Sequence, residues 1–336
     1  KDRKKEYHII DISTEMENGT SQDILNPPMK SEINYENNKL DGQWTEWYEN
    51  GQIKSAKIYK SGDLNGNTSE WDREGILLSS NRWKNGMRYE SDFYENGQIK
   101  FEGTFKYSKK NGKWTYWHSN GEKQKEGNYA IHFNEGKKVG MWIEWHDNRQ
   151  IKSRGTYRYN KKNGEWSQWF ANGQIMSEGS WSNDKEVRGW SYWFENGQLH
   201  QRGNLQGGEK FGSWMEFYKN GQIKTDGTYK YNNEEGKWTY WHSNGEKQKE
   251  GSYFLGKQKG KWTEWWESGE KQKQGKYKKG KKEGKWTEWH ENGKKKKVGK
   301  YKKDMENGTW SFWDSTGKKT KVKYKDGRVI CKGSDC

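Results

Sequence analysis

The stretch Gly42-Gln43-Trp44-Thr45-Glu46-Trp47-Tyr48-Glu49-Asn50-Gly51-Gln52-Ile53-Lys54-Ser55-Ala56-Lys57-Ile58-Tyr59 decides the fold. Two runs of β-forming residues flank an Asn-Gly pair. That is the strongest short-range hairpin signal, because both residues tolerate the positive φ of a two-residue type I′ turn. With Asn50 and Gly51 as the loop, counting outward pairs Tyr48 with Ile53, Trp47 with Lys54, Glu46 with Ser55 and Trp44 with Lys57. Alternation then puts Trp44, Tyr48, Ile53 and Tyr59 on one face, and Thr45, Trp47, Lys54 and Ala56 on the other.

This unit recurs along nearly the whole chain. Aligned on the second aromatic of Gly-x-Trp-x-x-Trp, the copies place Trp47, Trp71, Phe93, Trp117, Trp145, Trp169, Trp193, Phe217, Trp241, Trp265, Trp289 and Trp313 in register. The steps are 24, 22, 24 and 28 residues, and then 24 seven times. The short step follows the irregular residues 86–92, and the long one an insertion near 130–134. A fainter earlier copy matches Lys30, Ser31, Glu32 and Tyr35 to Lys54, Ser55, Ala56 and Tyr59. Arg149 takes the glycine's place in one Asn-Gly pair, which predicts a strained or rebuilt turn.

The expectation is an all-β protein: tandem antiparallel β-hairpins of about 24 residues, about 12 units over residues 29–325, forming an elongated twisted sheet. Strands about 4.8 Å apart would make a ribbon on the order of 100 Å long.

The place opposite the first Trp is glycine in most units: Gly103, Gly127, Gly155, Gly179, Gly227, Gly251, Gly275 and Gly299. A missing side chain leaves room for an indole to lie across the neighbouring strand. The predicted structural ladder is Trp44, Trp114, Trp142, Trp166, Trp214, Trp238, Trp262, Trp286 and Trp310. Its face is too apolar to stay open, so coiling of the ribbon, the N-terminal segment or another chain is expected to cover it. Residues 1–28, with the apolar run 7–12 and Pro27-Pro28, depart from the repeat and are the candidate cap. Residues 326–336 are a tail with a cysteine pair. Cys331 and Cys336 either form a local disulfide in an oxidising compartment or stay free thiols.

Composition agrees with a folded chain that lacks a thick aliphatic core. Of 336 residues 28% are hydrophobic and 33% charged, close to a disordered composition, but 23 Trp, 20 Tyr and 41 Gly beside 2 Pro contradict disorder. No run of about 18 apolar residues exists, so no helical membrane span is expected. The sequence starts at Lys1 without an initiator Met, as a product with its leader removed or a trimmed chain would. The expected location is the cell envelope or outside the cell, with the cytoplasm as the alternative.

Catalytic chemistry is not expected. His118, His146, His242 and His290 all occupy the slot of Tyr48, and units about 10 Å apart cannot share one metal ion. No Gly-x-Ser-x-Gly elbow, phosphate-cradling loop, paired-Cys zinc pattern or calcium loop is present in the sequence. Glu46, Glu144, Glu216, Glu264 and Glu288 recur beside Trp, which reads as cross-strand pairing with Lys and not as a glycosidase pair. No catalytic residue, cofactor, metal or small-molecule substrate is therefore assigned.

The charge is concentrated. Residues 247–325 hold 25 Lys against 10 Asp or Glu, a balance of +15 in a chain of +16. Trp241, Trp265 and Trp289 with Lys247, Lys271 and Lys295 form a candidate binding surface for an anionic polymer or a membrane surface. A solvated Lys/Glu surface is the plain alternative, and nucleic acid is not expected without a recognised motif.

The string Gly-Lys-Trp-Thr-Glu-Trp, as at residues 260–265, with a downstream Asn-Gly-Gln-Ile-Lys-Ser-like stretch, resembles the MORN repeat variant of bacterial YwqK-type proteins over about residues 29–325. The resemblance implies antiparallel hairpins in an extended sheet and an interaction or membrane-associated scaffold. The leading expectation is a non-enzymatic scaffold that presents a Trp/Lys surface, binds a protein or anionic polymer, self-associates and assembles into fibres. The alternative implied by the family is an antitoxin or immunity-like protein that neutralises a partner toxin.

Overall fold

The computed structural model of the chain describes residues 4–9, 30–84 and 86–333. Among them strands dominate and no helix occurs. The chain divides into two compact units, Lys1–Lys162 and Asn163–Cys336. In the first, strands from Lys4–Ile9 to Ile151–Arg158 pair antiparallel with their neighbours in sequence. In the second, the same pattern runs from the strand ending at Trp169 to Arg328–Lys332.

The two turns of each unit are the reverse of the sequence expectation. At Asn50-Gly51 only the glycine has positive φ, 85°. Gly51 N–H donates to the Tyr48 carbonyl at 2.9 Å and Tyr48 N–H to the Gln52 carbonyl at 2.7 Å, so the loop is Glu49-Asn50-Gly51. This is a type I turn closed by a glycine bulge. Asn50 is held on both sides: its Oδ1 accepts Gln52 N–H at 3.1 Å, and its Nδ2 donates to the Arg73 carbonyl in the next unit at 2.7 Å. Asn96, Asn172, Asn220 and Asn244 reach carbonyls 23 residues on in the same way. The two-residue turns with both φ positive lie at the other end, as at Ser61-Gly62 (53° and 95°) and Lys279-Gly280 (54° and 80°). Arg149 keeps the left-handed conformation, at φ 72°.

The longer loop changes the pairing. Trp47 stands opposite Ile53 instead of Lys54, and the register shifts there before returning to Glu46–Ser55 and Trp44–Lys57. Lys54 is the extra residue of a bulge. Two one-residue offsets cancel, which is why the pairs far from the turn obey the simple count. Ile53 therefore shares a face with Trp47, not with Trp44.

Glycine packing also differs from the simple hairpin picture. Gly236 adopts φ 67° and bulges its strand. Trp238, two residues on, then crosses Gly227 of the preceding strand, where an added Cβ would overlap the indole. The glycine opposite a Trp in its own hairpin thus receives the indole of the next unit. Trp114, Trp142, Trp262, Trp286 and Trp310 are at most 1% exposed. Trp166, Trp214 and Trp238 are also buried, and Trp190 joins them. Trp190 escapes the Gly-x-Trp pattern because Arg188 carries the positive φ, 62°, in place of the glycine.

Trp44 departs from the ladder. It is only half-buried, its Nε1 has no hydrogen-bond partner, and the Lys57 ammonium lies 4.5 Å from its ring.

From Trp214 to Tyr324 the rings Trp214, Tyr229, Trp238, Tyr253, Trp262, Tyr277, Trp286, Tyr301, Trp310 and Tyr324 alternate edge to face, at 4.9–6.3 Å and 75–89°. Each such contact adds about 0.5–1.5 kcal/mol beyond area burial. Lysine stems close the ladder from above: Nζ of Lys110, Lys210 and Lys282 lie 4.0, 4.4 and 4.9 Å from Trp114, Trp214 and Trp286. In these units part of the cover expected from coiling, the N-terminal segment or a second chain is supplied by the unit's own lysine.

Burial pushes the hydroxyls of Tyr229, Tyr277 and Tyr301 up to about 12, with nearby carboxylates adding to it. The unfolded phenol ionises near pH 10, so the stabilisation is whole below about pH 10 and is lost as pH rises through about 12. The urea midpoint of the second unit should accordingly stay level up to about pH 10 and fall between about pH 10 and 12, in step with tyrosinate absorbance. Ionisation of these phenols near pH 10 with the midpoint unchanged would contradict the assignment.

The 28-residue step is absorbed as a longer hairpin, Lys123–His132 with Glu135–Trp145. The 22-residue step gives the short strand Met87–Phe93, whose Glu90 stands opposite Gly103 where most other units have Trp. Residues 326–332 are not a loose tail: Arg328–Lys332 pairs with Lys319–Lys325 across the turn Asp326-Gly327. Cys331 is disulfide-bonded. Cys336 lies outside the described residues. At the other end, Lys4–Ile9 pairs with Lys30–Glu36. Residues 10–29 of the expected cap, including Pro27 and Pro28, lie outside the described residues.

Candidate functional site

Two residues past the turn glycine, where most earlier repeats have Ile or Leu, the last repeats have Lys, as Lys123 opposite Trp117 already does, and that residue pairs with the strand-end Trp. Trp241 stands opposite Lys247, Trp265 opposite Lys271, and Trp289 opposite Lys295. A fourth pair, Trp313 with Lys319, continues the series at the same 24-residue spacing, a signal the sequence holds but the candidate set omits. The four lysines are exposed and the tryptophans half-buried. Lys247 Nζ lies 5.7 Å from the Trp265 ring, and Lys319 Nζ 5.2 Å from Trp313. Lys247 also binds Glu250 at 3.0 Å, and that hydrogen bond is the main cause holding the Glu250 carboxyl below its usual range.

The stripe therefore offers indole surface and ammonium groups side by side. Such a pairing can stack a flat ring and neutralise an anion in one contact.

The recurrent glutamates are engaged across strands. Glu264 binds Lys273 at 2.8 Å, Glu288 binds Lys297 at 3.2 Å, and Glu46 accepts from Ser55 Oγ at 2.6 Å. The histidines in the Tyr48 slot act as braces between units. Tyr48 and Tyr218 hydroxyls donate to the carbonyls of Trp71 and Trp241 at 2.8 and 2.7 Å. His242 and His290 place Nε2 3.1 and 3.0 Å from the carbonyls of Trp265 and Trp313, which fixes the proton on Nε2 because a carbonyl only accepts. His118 Nε2 lies 3.3 Å from Asp147 Oδ1. His146 occupies the same slot.

Seven stretches match the model of the MORN repeat variant: residues 40–61, 90–107, 110–130, 162–183, 212–231, 234–254 and 282–303. The chain carries MORN repeat variants. Most of these matches run from the Gly-x-Trp strand to the two-residue turn, so one MORN repeat is one hairpin with the type I turn inside it. A search of the curated proteins finds no match. Among solved structures, the chain is similar to the crystal structure of TcdB2-TccC3 at 9% identity and a TM-score of 0.13, over 89% of this chain and 21% of that one. The same protein without its hypervariable C-terminal region matches at 9% and 0.13, over 93% and 23%. The chain spans about a fifth of the length of these structures.

Proposed function

We propose that this MORN-repeat chain is a non-enzymatic binding scaffold, exported to the cell envelope or beyond, whose last repeats hold an anionic polymer along the Trp/Lys stripe. The observation that carries the reading is the periodic pairing of an exposed lysine with a strand-end indole at Trp241, Trp265, Trp289 and Trp313. The surplus of +15 within residues 247–325 supplies the long-range attraction. The disulfide at Cys331 supports an oxidising compartment.

A polyuronate such as polygalacturonate is a suitable probe, with charged groups on a ring that can stack. Each lysine at an anionic surface contributes about 1 kcal/mol. The triple substitution Lys247→Gln, Lys271→Gln, Lys295→Gln should weaken binding by roughly a hundredfold and flatten its salt dependence. Unchanged affinity of the triple variant at low salt would remove the stripe from consideration.

A further inference from the structure

The repeat varies most on the face that carries Thr115 and Thr239. The residue before the buried Trp is Lys113, Lys237, Lys261 and Lys285 in four units, but Glu165, Gly189 and Ser213 in three successive ones. There, within the second unit, a groove of about 670 Å³ opens, a volume in the range of small-molecule sites. Gly189 is not held as glycine by its backbone, since its φ is not positive and an added Cβ would meet nothing nearer than Asn204 Oδ1 at 3.8 Å. Its bareness leaves the groove open.

Strand register aligns Glu178 and Arg202 in one transverse row, with Glu165 two residues along its strand from that row. Ser167 pairs with Glu178, Glu178 with Ser191, Ser191 with Arg202, and Arg202 with Met215. In two other units the carboxylate at Glu178's position is neutralised by two lysines. Glu126 lies 3.3 and 3.1 Å from Lys113 and Lys123, and Glu250 lies 3.8 and 3.0 Å from Lys237 and Lys247. The two positions that supply those lysines are Glu165 and Ile175 beside Glu178. One carboxylate has lost both its partners and gained a second carboxylate. Arg202 Nη2 lies 3.6 Å from the Met215 sulfur, and Glu165 accepts from Ser180 Oγ at 2.6 Å. Arg202 and Glu178 stand two strands apart, about 10 Å.

We propose that this groove binds a short linear zwitterion of tripeptide length. Its primary amine is held by Glu165 and Glu178, and its carboxylate forms a forked pair with Arg202. An extended tripeptide separates its charged ends by about 10 Å, which matches the row. This site is independent of the lysine stripe, and its ligand carries both charges.

The test is calorimetric titration of the full chain with tri-L-alanine at low salt. Tri-L-alanine should bind, and its N-acetylated and C-amidated forms should each bind at least tenfold more weakly. Glu178→Gln and Arg202→Gln should cost at least tenfold each. The double variant Gly189→Lys, Ser213→Lys, which installs the residue four other units carry, should keep the fold and lose binding. No binding by tri-L-alanine at millimolar concentration overturns the proposal. So does equal binding of the capped peptides or by the filled groove, or binding of neutral maltotriose in its place.

Discussion

Replacing Trp286 by alanine should lower the stability of the surrounding repeats by about 3–5 kcal/mol, the cost of emptying a large buried site. The ring is 1% exposed, lies across Gly275, meets Tyr277 and Tyr301 edge to face, and donates from Nε1 to the Lys276 carbonyl at 3.2 Å. The hole cannot collapse, because the strands on either side are held at sheet spacing by their own hydrogen bonds. Amide exchange in the strands Lys271–Lys278 and Lys295–Lys302 should quicken together. Trp265→Ala, at a half-buried position, should cost much less stability and act on polymer binding instead. Equal, small losses for the two variants would refute the division between ladder and stripe.

The second large effect comes from adding one methyl group. Gly275→Ala places a Cβ inside the volume of the Trp286 ring, so the ring or the strand must shift. Overpacking of this kind costs about 1–3 kcal/mol, and the rigid ladder puts this case at the upper end. In the double variant with Trp286→Ala the methyl meets no ring, and its cost should nearly vanish. That coupling, read from urea melts of the four chains, separates a steric clash from a general preference for glycine in the strand. An additive pair would refute the packing.

These two positions also show what the sequence discloses. The partnership of Gly275 with a Trp is written in the 24-residue period, because a glycine inside a strand needs a reason and the only bulky residue within reach is the indole. Which Trp fills it is not written there. The bulge at Gly284 shifts Trp286 onto the preceding strand, and a bulge leaves no mark in a count of alternating residues. The turn at Asn50 misleads for a similar reason. Asn-Gly carries the chemistry of a two-residue turn, but here the Asn amide is bound to a carbonyl 23 residues on, outside any local window. The stripe residues Lys247, Lys271 and Lys295 are legible because they repeat. The groove at Gly189 is not, since it arises where the repeat fails, and failure of a pattern becomes meaningful only once register sets Glu178 and Arg202 in one row.

The amide of Asn220 reaches Ser243, and the indole of Trp238 rests on Gly227. The braces and ring contacts of a unit go to the unit beside it. A gene for such a chain can therefore gain or lose a stretch encoding 24 residues by unequal crossing-over without orphaning a partner. Removing residues 239–262 would join Trp238 to Thr263, the residue that follows Trp262 in the intact chain. Copy number is then a heritable dial: lineages can lengthen or shorten the stripe in single mutational steps, each of them folded from the start.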